Sequence, residues 1–221
     1  EPEAVLHEQR ACAPRLQTAP SSLDGFVRLH FHARGAISNL VVELQPVLPL
    51  QRDAKEVLLR VRAVGLNFRD VLNVLGEYPG DPGPPGGDAA GVVGEADASA
   101  LHAVGTATFG LGSAPLACLA RAASPLLTRK PASLAFEQAC TLPVTWSTTH
   151  VALARGGLRA GRSIVVQAAA GGVGLAAVEY AQWLSAPPLG TAGRPHKHAQ
   201  LRLAGVDALC SSRDGASFAV G

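Results

Sequence analysis

From residue 26 onward the apolar residues of this 221-residue chain fall in short runs, at 26–31, 39–44 and 56–63. In the third run Val57, Leu59, Val61 and Ala63 alternate with Leu58, Arg60 and Arg62, the period-two pattern of a half-buried strand. The period then changes. Phe68, Val71, Leu72 and Leu75 recur at helical spacing and predict a short helix over 67–75. Residues 76–87 are a Pro/Gly loop containing YPGDPGPPGG, too long and stiff for a simple hairpin turn. Further short strands are expected at 91–95, 107–111 and 116–119, so residues 26–130 read as a β-rich unit with one helical turn. The first 25 residues lack periodicity, carry Pro2, Pro14 and Pro20, and read as a linker with room for one strand.

Near Ser133 the texture switches. Ser133 and Glu137 approach a capping box one residue out of register, and a second helix is expected over 145–154. An apolar run at 163–168 leads into the turn AAGGVG and an Ala/Leu helix reaching about residue 184. A basic helix at 196–204 and a strand at 206–210 follow. Strand, helix, strand, helix, strand implies a parallel sheet of βαβ units. The second of these strands is the weak one, because Pro187 and Pro188 remove ladder donors.

Composition narrows the classes. Lys+Arg 19 against Asp+Glu 17 leaves a net charge of +2 with no block of like charge, which excludes an electrostatic footprint for nucleic acid or a polybasic membrane patch. Hydrophobic content of 48% suffices for a packed core. Residues 98–120 carry no formal charge, but Gly105, Gly110, Gly112, Pro115 and His102 divide them into strands and turns instead of a membrane span. Cys12, Cys118, Cys140 and Cys210 are scattered with no C-x-x-C pair and are expected to be reduced thiols in a cytoplasmic protein, a plastid location being left open. Met is absent even at position 1, so the chain is expected to be a fragment of something longer.

The turn after the apolar run fits the glycine fingerprint of a dinucleotide-binding unit. In the register G-x-G-x-x-G, Ala169 takes the first place, Gly171 the second and Gly174 the third, with Ala170, Gly172 and Val173 between them. Such a turn seats a diphosphate at the N-terminus of the following helix, where free N–H groups and the helix dipole favour anions. An NAD-binding protein carries Asp or Glu about 20 residues further on. Here residues 190–199, GTAGRPHKHA, hold no carboxylate but offer Thr191, Arg194, His196, Lys197 and His198, and Arg213 could join them. Missing acid plus added cations favours a 2′-phosphate, hence NADPH. A plain glycine hinge and a solvated basic loop are the alternatives.

With this turn and loop in view, VRAVGLNFRDVLNVLGEYPG (61–80), GGDAAGVV (86–93), KPASLAFEQACTLPVTWSTTHVAL (130–153), QAAAGGVGLAAVEYAQ (167–182) and TAGRPHKHAQLRLAGVD (191–207) resemble the medium-chain dehydrogenase/reductase superfamily. Within it they resemble the zinc-independent enoyl reductase domain of polyketide and fatty-acid synthases, over roughly residues 26–218. The resemblance implies an α/β fold: a GroES-like β-barrel catalytic domain (26–154) after a linker from a preceding domain (1–25), then the first half of an NADPH-binding Rossmann domain (155–221), with the active site in the cleft. It also implies NADPH-dependent reduction of an α,β-unsaturated acyl thioester on an acyl carrier protein, beside other synthase domains on the same chain, with a homodimer left open. Tyr78 maps to a candidate proton donor, and Asn67 and Thr148 to the nicotinamide pocket. A loop aromatic packed on its own prolines and simple backbone capping are the alternatives for these three. Where the zinc branch has G-H-E this chain reads Gly87-Asp88-Ala89, and no zinc is expected; His30 and His32 share a strand face but have no third ligand nearby in sequence. The family's G-D at a barrel turn is Gly105-Thr106 here. The isolated chain is expected to be inactive. A stand-alone quinone-type NADPH oxidoreductase and a non-catalytic remnant are the competing functions.

Overall fold

The computed structural model describes residues 5–7, 10–12, 24–50 and 54–213. Strands β1 (Val5–His7) and β2 (Arg10–Cys12) pair antiparallel within the expected linker, whose remaining residues up to 23 lie outside the described ones. A second antiparallel pair joins β3 (Val27–Phe31) to β4 (Leu40–Leu44). Then come β5 (Glu56–Gly65), helix α1 (Phe68–Leu75), β6 (Asp88–Ala96), β7 (Ala107–Leu111), β8 (Leu119–Ala123) and β9 (Leu127–Arg129). The five strands of this stretch form one antiparallel sheet in the order β8-β5-β6-β7-β9. The alternation read in β5 holds in part: Val57 and Leu59 join Val93, Ala122 and Leu127 in the core of the rolled sheet and Arg60 and Arg62 are exposed, but Leu58, expected on their face, is also buried.

Local devices bend the sheet. The β5–β6 register shifts between Leu58 and Leu59 and again between Val61 and Ala63, the signature of bulges. Gly91 lies opposite Val61, and a Cβ there would strike the carbonyl of Arg60, so only glycine permits the approach. At the seam the N–H of Leu29 donates to the Leu116 carbonyl at 2.7 Å, and that of Cys118 to the Val27 carbonyl at 2.9 Å. The Gln45 amide imitates a strand residue beside them: Nε2 donates to the Leu119 carbonyl at 2.6 Å, and Oε1 accepts the Leu119 N–H at 3.0 Å. The strand expected at 116–119 is therefore displaced. Residues 116–118 bridge to β3, and the sheet strand itself starts at Leu119.

The helix near residue 70 forms where its periodicity predicts, but it is turned around. Phe68 is 74% exposed and Val71 42%, while Asp70, Asn73 and Val74 are buried. The Pro/Gly loop is the reason. It has no ladder to satisfy its main chain, so side chains of α1 do it. Asp70 Oδ1 accepts the Gly86 N–H at 2.8 Å, and Asn73 Nδ2 donates to the Gly83 carbonyl at 2.9 Å. Arg34 completes the clamp, donating from Nε to Asn73 Oδ1 at 3.0 Å and from Nη2 to Asp81 Oδ1 at 2.8 Å.

Helices α2 (Phe136–Ala139) and α3 (Pro143–Arg155) lead to β10 (Ile164–Val166), α4 (Gly172–Trp183), β11 (Pro188–Ala192), α5 (Pro195–Leu203) and β12 (Ala208–Ser211). The box expected from Ser133 and Glu137 is instead made by Gln138, whose Oε1 accepts the Ala135 N–H at 2.9 Å. Strands β10, β11 and β12 are parallel, with β11 in the middle. The two prolines do not break its pairing. Pro188 is the first residue of β11, and Pro187 lends its carbonyl to the Ile164 N–H at 3.3 Å. A proline at a strand's threshold removes no interior rung. Val166, Ala169, Val178, Ala192, Leu201 and Val206 bury the faces of both helices against this sheet.

Among the described residues no helix is long and apolar enough to cross a membrane. Cys118, Cys140 and Cys210 are free thiols, and the Cys12 side chain lies outside the described residues. Leu59 is fully buried in the rolled sheet. Leu59→Ala is expected to cost about 2–5 kcal/mol, read from the urea unfolding midpoint.

Candidate functional site

Between β10 and α4 the chain turns on small residues. Ala168 adopts φ +49, and the turn is tied to the neighbouring strand through Thr191. The Thr191 carbonyl accepts the Ala169 N–H at 2.9 Å, and its Oγ1 accepts the Ala168 N–H at 3.2 Å. Ala169 is fully buried, which explains why alanine serves where the fingerprint has its first glycine. Gly171 is the N-cap of α4, and Gly172, Val173 and Gly174 make its first turn, whose N–H groups lack intrahelical partners. At Gly174 a Cβ would come within 2.5 Å of the Ala168 carbonyl oxygen and 2.7 Å of the Ala169 Cα, so the helix can approach the strand this closely only without a side chain.

This turn forms one wall of a cavity of about 410 Å³, to which Ala168, Ala170 and Gly171 contribute. The opposite wall is Gly193, Arg194, Lys197, Ser212 and Arg213. Three cations expected from sequence thus converge on the glycine turn, and no carboxylate lines the cavity. Gly193 occupies the position where an NAD-binding protein carries its acid; a Cβ there would lie 2.9 Å from Arg213 Nε. Thr191 sits behind the turn, buried, and braces it without lining the cavity. Of the two histidines nearby, His198 is committed to the Ala192 carbonyl at 2.7 Å, and His196 is exposed.

The residues expected to do chemistry lie around α1. Asn67 is its N-cap, and its main-chain N–H donates to Asp70 Oδ2 at 2.8 Å. Its side-chain Nδ2 donates to Asp88 Oδ2 at 3.1 Å. Tyr78 is half-buried; its N–H donates to the Leu72 carbonyl at 3.2 Å, and the Arg69 guanidinium lies 5.5 Å from its ring centroid. Arg69 is in turn held by the Pro82 carbonyl at 2.7 Å, so a cation packs the Tyr78 ring as well as the loop. Thr148 is exposed on α3, next to Thr149, whose hydroxyl donates to the Val173 carbonyl at 3.4 Å. Asn67 and Tyr78 share the α1 region, while the cations gather at the glycine turn.

Sequence reading missed Asp88 as a site residue. It is 1% exposed, and Oδ1 accepts the Val144 N–H in the first turn of α3 at 3.0 Å. Burial raises its carboxyl above the ordinary range; the Asn67 amide and Val144 N–H pull it down, and the Asp70 carboxylate pushes it up. The signal was a lone acid at the head of an apolar strand. Ser212 was also missed, being an ordinary hydroxyl beside Arg213. His30 and His32 stack edge to face at 5.1 Å, and His32 Nε2 lies 3.2 Å from Glu43 Oε2. No group of three or more His, Cys, Asp or Glu able to hold a metal occurs among the described residues. A second, apolar cavity of about 560 Å³ lies between β7, β9 and α3, lined by Phe109, Leu127, Leu142 and Trp146 among others and by no titratable side chain.

A rolled antiparallel unit followed by a parallel βαβ sheet, its first turn bearing the glycine fingerprint, is the architecture of a medium-chain dehydrogenase/reductase. No family model matches the chain. Erythronolide synthase EryA2 of Saccharopolyspora erythraea is 40% identical over 222 residues, covering 96% of this chain and 6% of that protein. The CurK enoyl reductase superposes with a TM-score of 0.78 at 32% identity, covering 86% of this chain and 61% of that one. Mycobacterial Rv1454c complexed with NADPH superposes with a TM-score of 0.75 at 24% identity over 84% of this chain and 58% of that one, a likeness of fold. The chain belongs to the enoyl reductase family of polyketide synthases. It spans a small fraction of the synthase it matches and about three-fifths of the CurK enoyl reductase.

Gly174→Ala is expected to destabilise the fold by about 1–3 kcal/mol through overpacking of the turn, measured by urea unfolding. Because burial raises the Asp88 carboxyl, the folded chain binds that proton more tightly than the unfolded chain. The group therefore favours the fold below about pH 4 and loses that contribution as pH rises through the raised value. The urea midpoint of the wild type, measured against that of Asp88→Asn at successive pH values, is expected to fall over that rise.

Proposed function

We propose that this chain is the catalytic and nucleotide-binding part of an NADPH-dependent enoyl reductase within a polyketide synthase. Its substrate is an α,β-unsaturated acyl thioester borne by an acyl carrier protein. The observation that carries the reading is the convergence of Arg194, Lys197 and Arg213 on the glycine turn, in a cavity without a carboxylate. Open N–H groups at the start of α4 suit a diphosphate, and three cations without a carboxylate partner among the described residues suit a further phosphate. An acid at position 193 would repel that phosphate, and glycine removes both its charge and its bulk. Kinship with synthase enoyl reductases gives the reaction class. We assign residues 26–154 to the GroES-like catalytic domain and 155–221 to the first half of the nucleotide-binding Rossmann domain, with 1–25 as the lead-in.

When bound, NADPH supplies the hydride that reaches Cβ of the double bond. The chain's own groups do the rest. Tyr78 is the candidate donor of the proton taken up at Cα, its ring held against the Arg69 guanidinium. Asn67 and Thr148 would line the pyridine end, and Ala170, Gly172 and Val173 would hold the diphosphate through main-chain N–H groups, with Gly171 shaping the turn through its own N–H bond to the Ala168 carbonyl at 2.9 Å. Thr191 supports the turn from behind.

Isothermal titration is expected to show NADPH binding more tightly than NADH. Lys197→Ala and Arg213→Ala should each weaken 2′,5′-ADP about tenfold, the loss of one charge-assisted hydrogen bond, and narrow the gap between the two cofactors. Gly193→Asp should close or reverse it. Equal affinity of the wild type for both cofactors would overturn the assignment.

A further inference from the structure

The reaction above makes no use of Asp88, yet this carboxylate is among the most buried polar groups of the chain. It stands at the head of β6 and ties together two other elements. One oxygen accepts Asn67 Nδ2 just ahead of α1 at 3.1 Å, and the other accepts the Val144 N–H of α3 at 3.0 Å. Gly65, on β5, packs so tightly beside it that a Cβ there would lie 2.9 Å from Asp88 Cβ, so the carboxylate has little room to move.

The consequence falls on Asn67. An amide has a donor end and an acceptor end, and an ionised carboxylate only accepts. Asn67 must therefore turn its nitrogen inward to Asp88. Its side chain makes no cap hydrogen bond to α1. The first turn is instead tied back by Asp70, which takes the Asn67 main-chain N–H at 2.8 Å. Asn67 is half-buried; the Asp70 N–H goes to its main-chain carbonyl at 2.9 Å, which leaves Oδ1 as the acceptor end of the amide. A site that offers a fixed acceptor discriminates against ligands with no hydrogen to give, because a pre-set polar group is then left unpaired.

We propose that Asp88 is a positioning residue that locks the Asn67 amide with its nitrogen inward and Oδ1 outward, so that the site selects a ligand bringing an N–H donor there, the carboxamide of a pyridine nucleotide. The proposal rests on the reading of Asn67 as a wall of the nicotinamide pocket. Asp88→Asn keeps the shape but sets an NH₂ group against that of Asn67; with the Val144 N–H still needing an acceptor, Asn67 must flip.

The test compares NADPH with its acetylpyridine analogue, in which a methyl group replaces the carboxamide NH₂, and uses 2′,5′-ADP, which has no pyridine ring, as the control. The wild type should prefer NADPH about 2- to 10-fold, the range of one neutral hydrogen bond. In Asp88→Asn that preference should fall to about onefold while the 2′,5′-ADP affinity stays unchanged. A preference that survives the substitution overturns the role of Asp88. Absence of 2′,5′-ADP binding to the wild type would instead overturn the reading of the basic cavity. A cofactor-free measurement decides the orientation in either case: in the labelled wild-type chain the Asn67 side-chain amide protons should show NOEs to the Asp88 β-protons, and their absence sinks the proposal. Should Asp88→Asn fold poorly, combining it with Asn67→Asp restores one donor and one acceptor; because a carboxylate at position 67 offers only acceptors, that double variant should recover both stability and the preference for NADPH.

Discussion

The parallel-sheet end of this molecule depends on one close approach, that of Gly174 to the main chain of Ala168 and Ala169. With no side chain between them, the start of α4 lies directly over the end of β10, and the residues leading into it, Ala168, Ala170 and Gly171, line the cavity. The same tightness demands that Ala169 be small and wholly buried, and that Thr191 tether the turn from the next strand. The basic wall depends on this in turn. Residues just after β11 and β12 reach the turn because both strands run parallel to β10 in adjacent register. Parallel pairing brings the carboxyl ends of consecutive strands together, and ligands of such sheets bind at those ends.

Much of this is legible in the order of the amino acids alone. Period-two alternation locates β5, and the small-residue turn between an apolar run and an Ala-rich helix locates β10 and α4. The cations of residues 194–213 can be assigned to one pocket because βαβ geometry returns the chain to the same sheet edge after each helix. What stays hidden is pairwise and long-range. The spacing of Phe68, Val71 and Leu75 announces a helix but not which face is buried, and here the need to satisfy the Pro/Gly loop outweighs apolar burial. A proline pair reads as a strand breaker unless the strand's first residue is known, and β11 begins on the second of the two. Asp88 contacts groups from distant parts of the chain, Asn67 and Val144, so no local window reveals its partners.

The two ends of the molecule are built on different principles. At the glycine turn the geometry is set by the main chain, through close approaches that a Cβ would block, with Arg194, Lys197 and Arg213 on the facing wall. Around α1 the geometry is held by side chains: Asp70, Asn73 and Arg34 bind the loop that carries Tyr78, while Asp88 fixes Asn67. The first end is generic, and the second is open to change one side chain at a time.

The Gln45 amide at the barrel seam carries a consequence of its own. Elsewhere the seam is held by main-chain rungs, such as the Leu29 N–H to the Leu116 carbonyl, which among replacements only proline deletes. At Leu119 a rung is supplied by a side chain, so this one rung depends on a single codon. Without this glutamine the Leu119 N–H and carbonyl would lose these partners, one open rung on the edge strand β8.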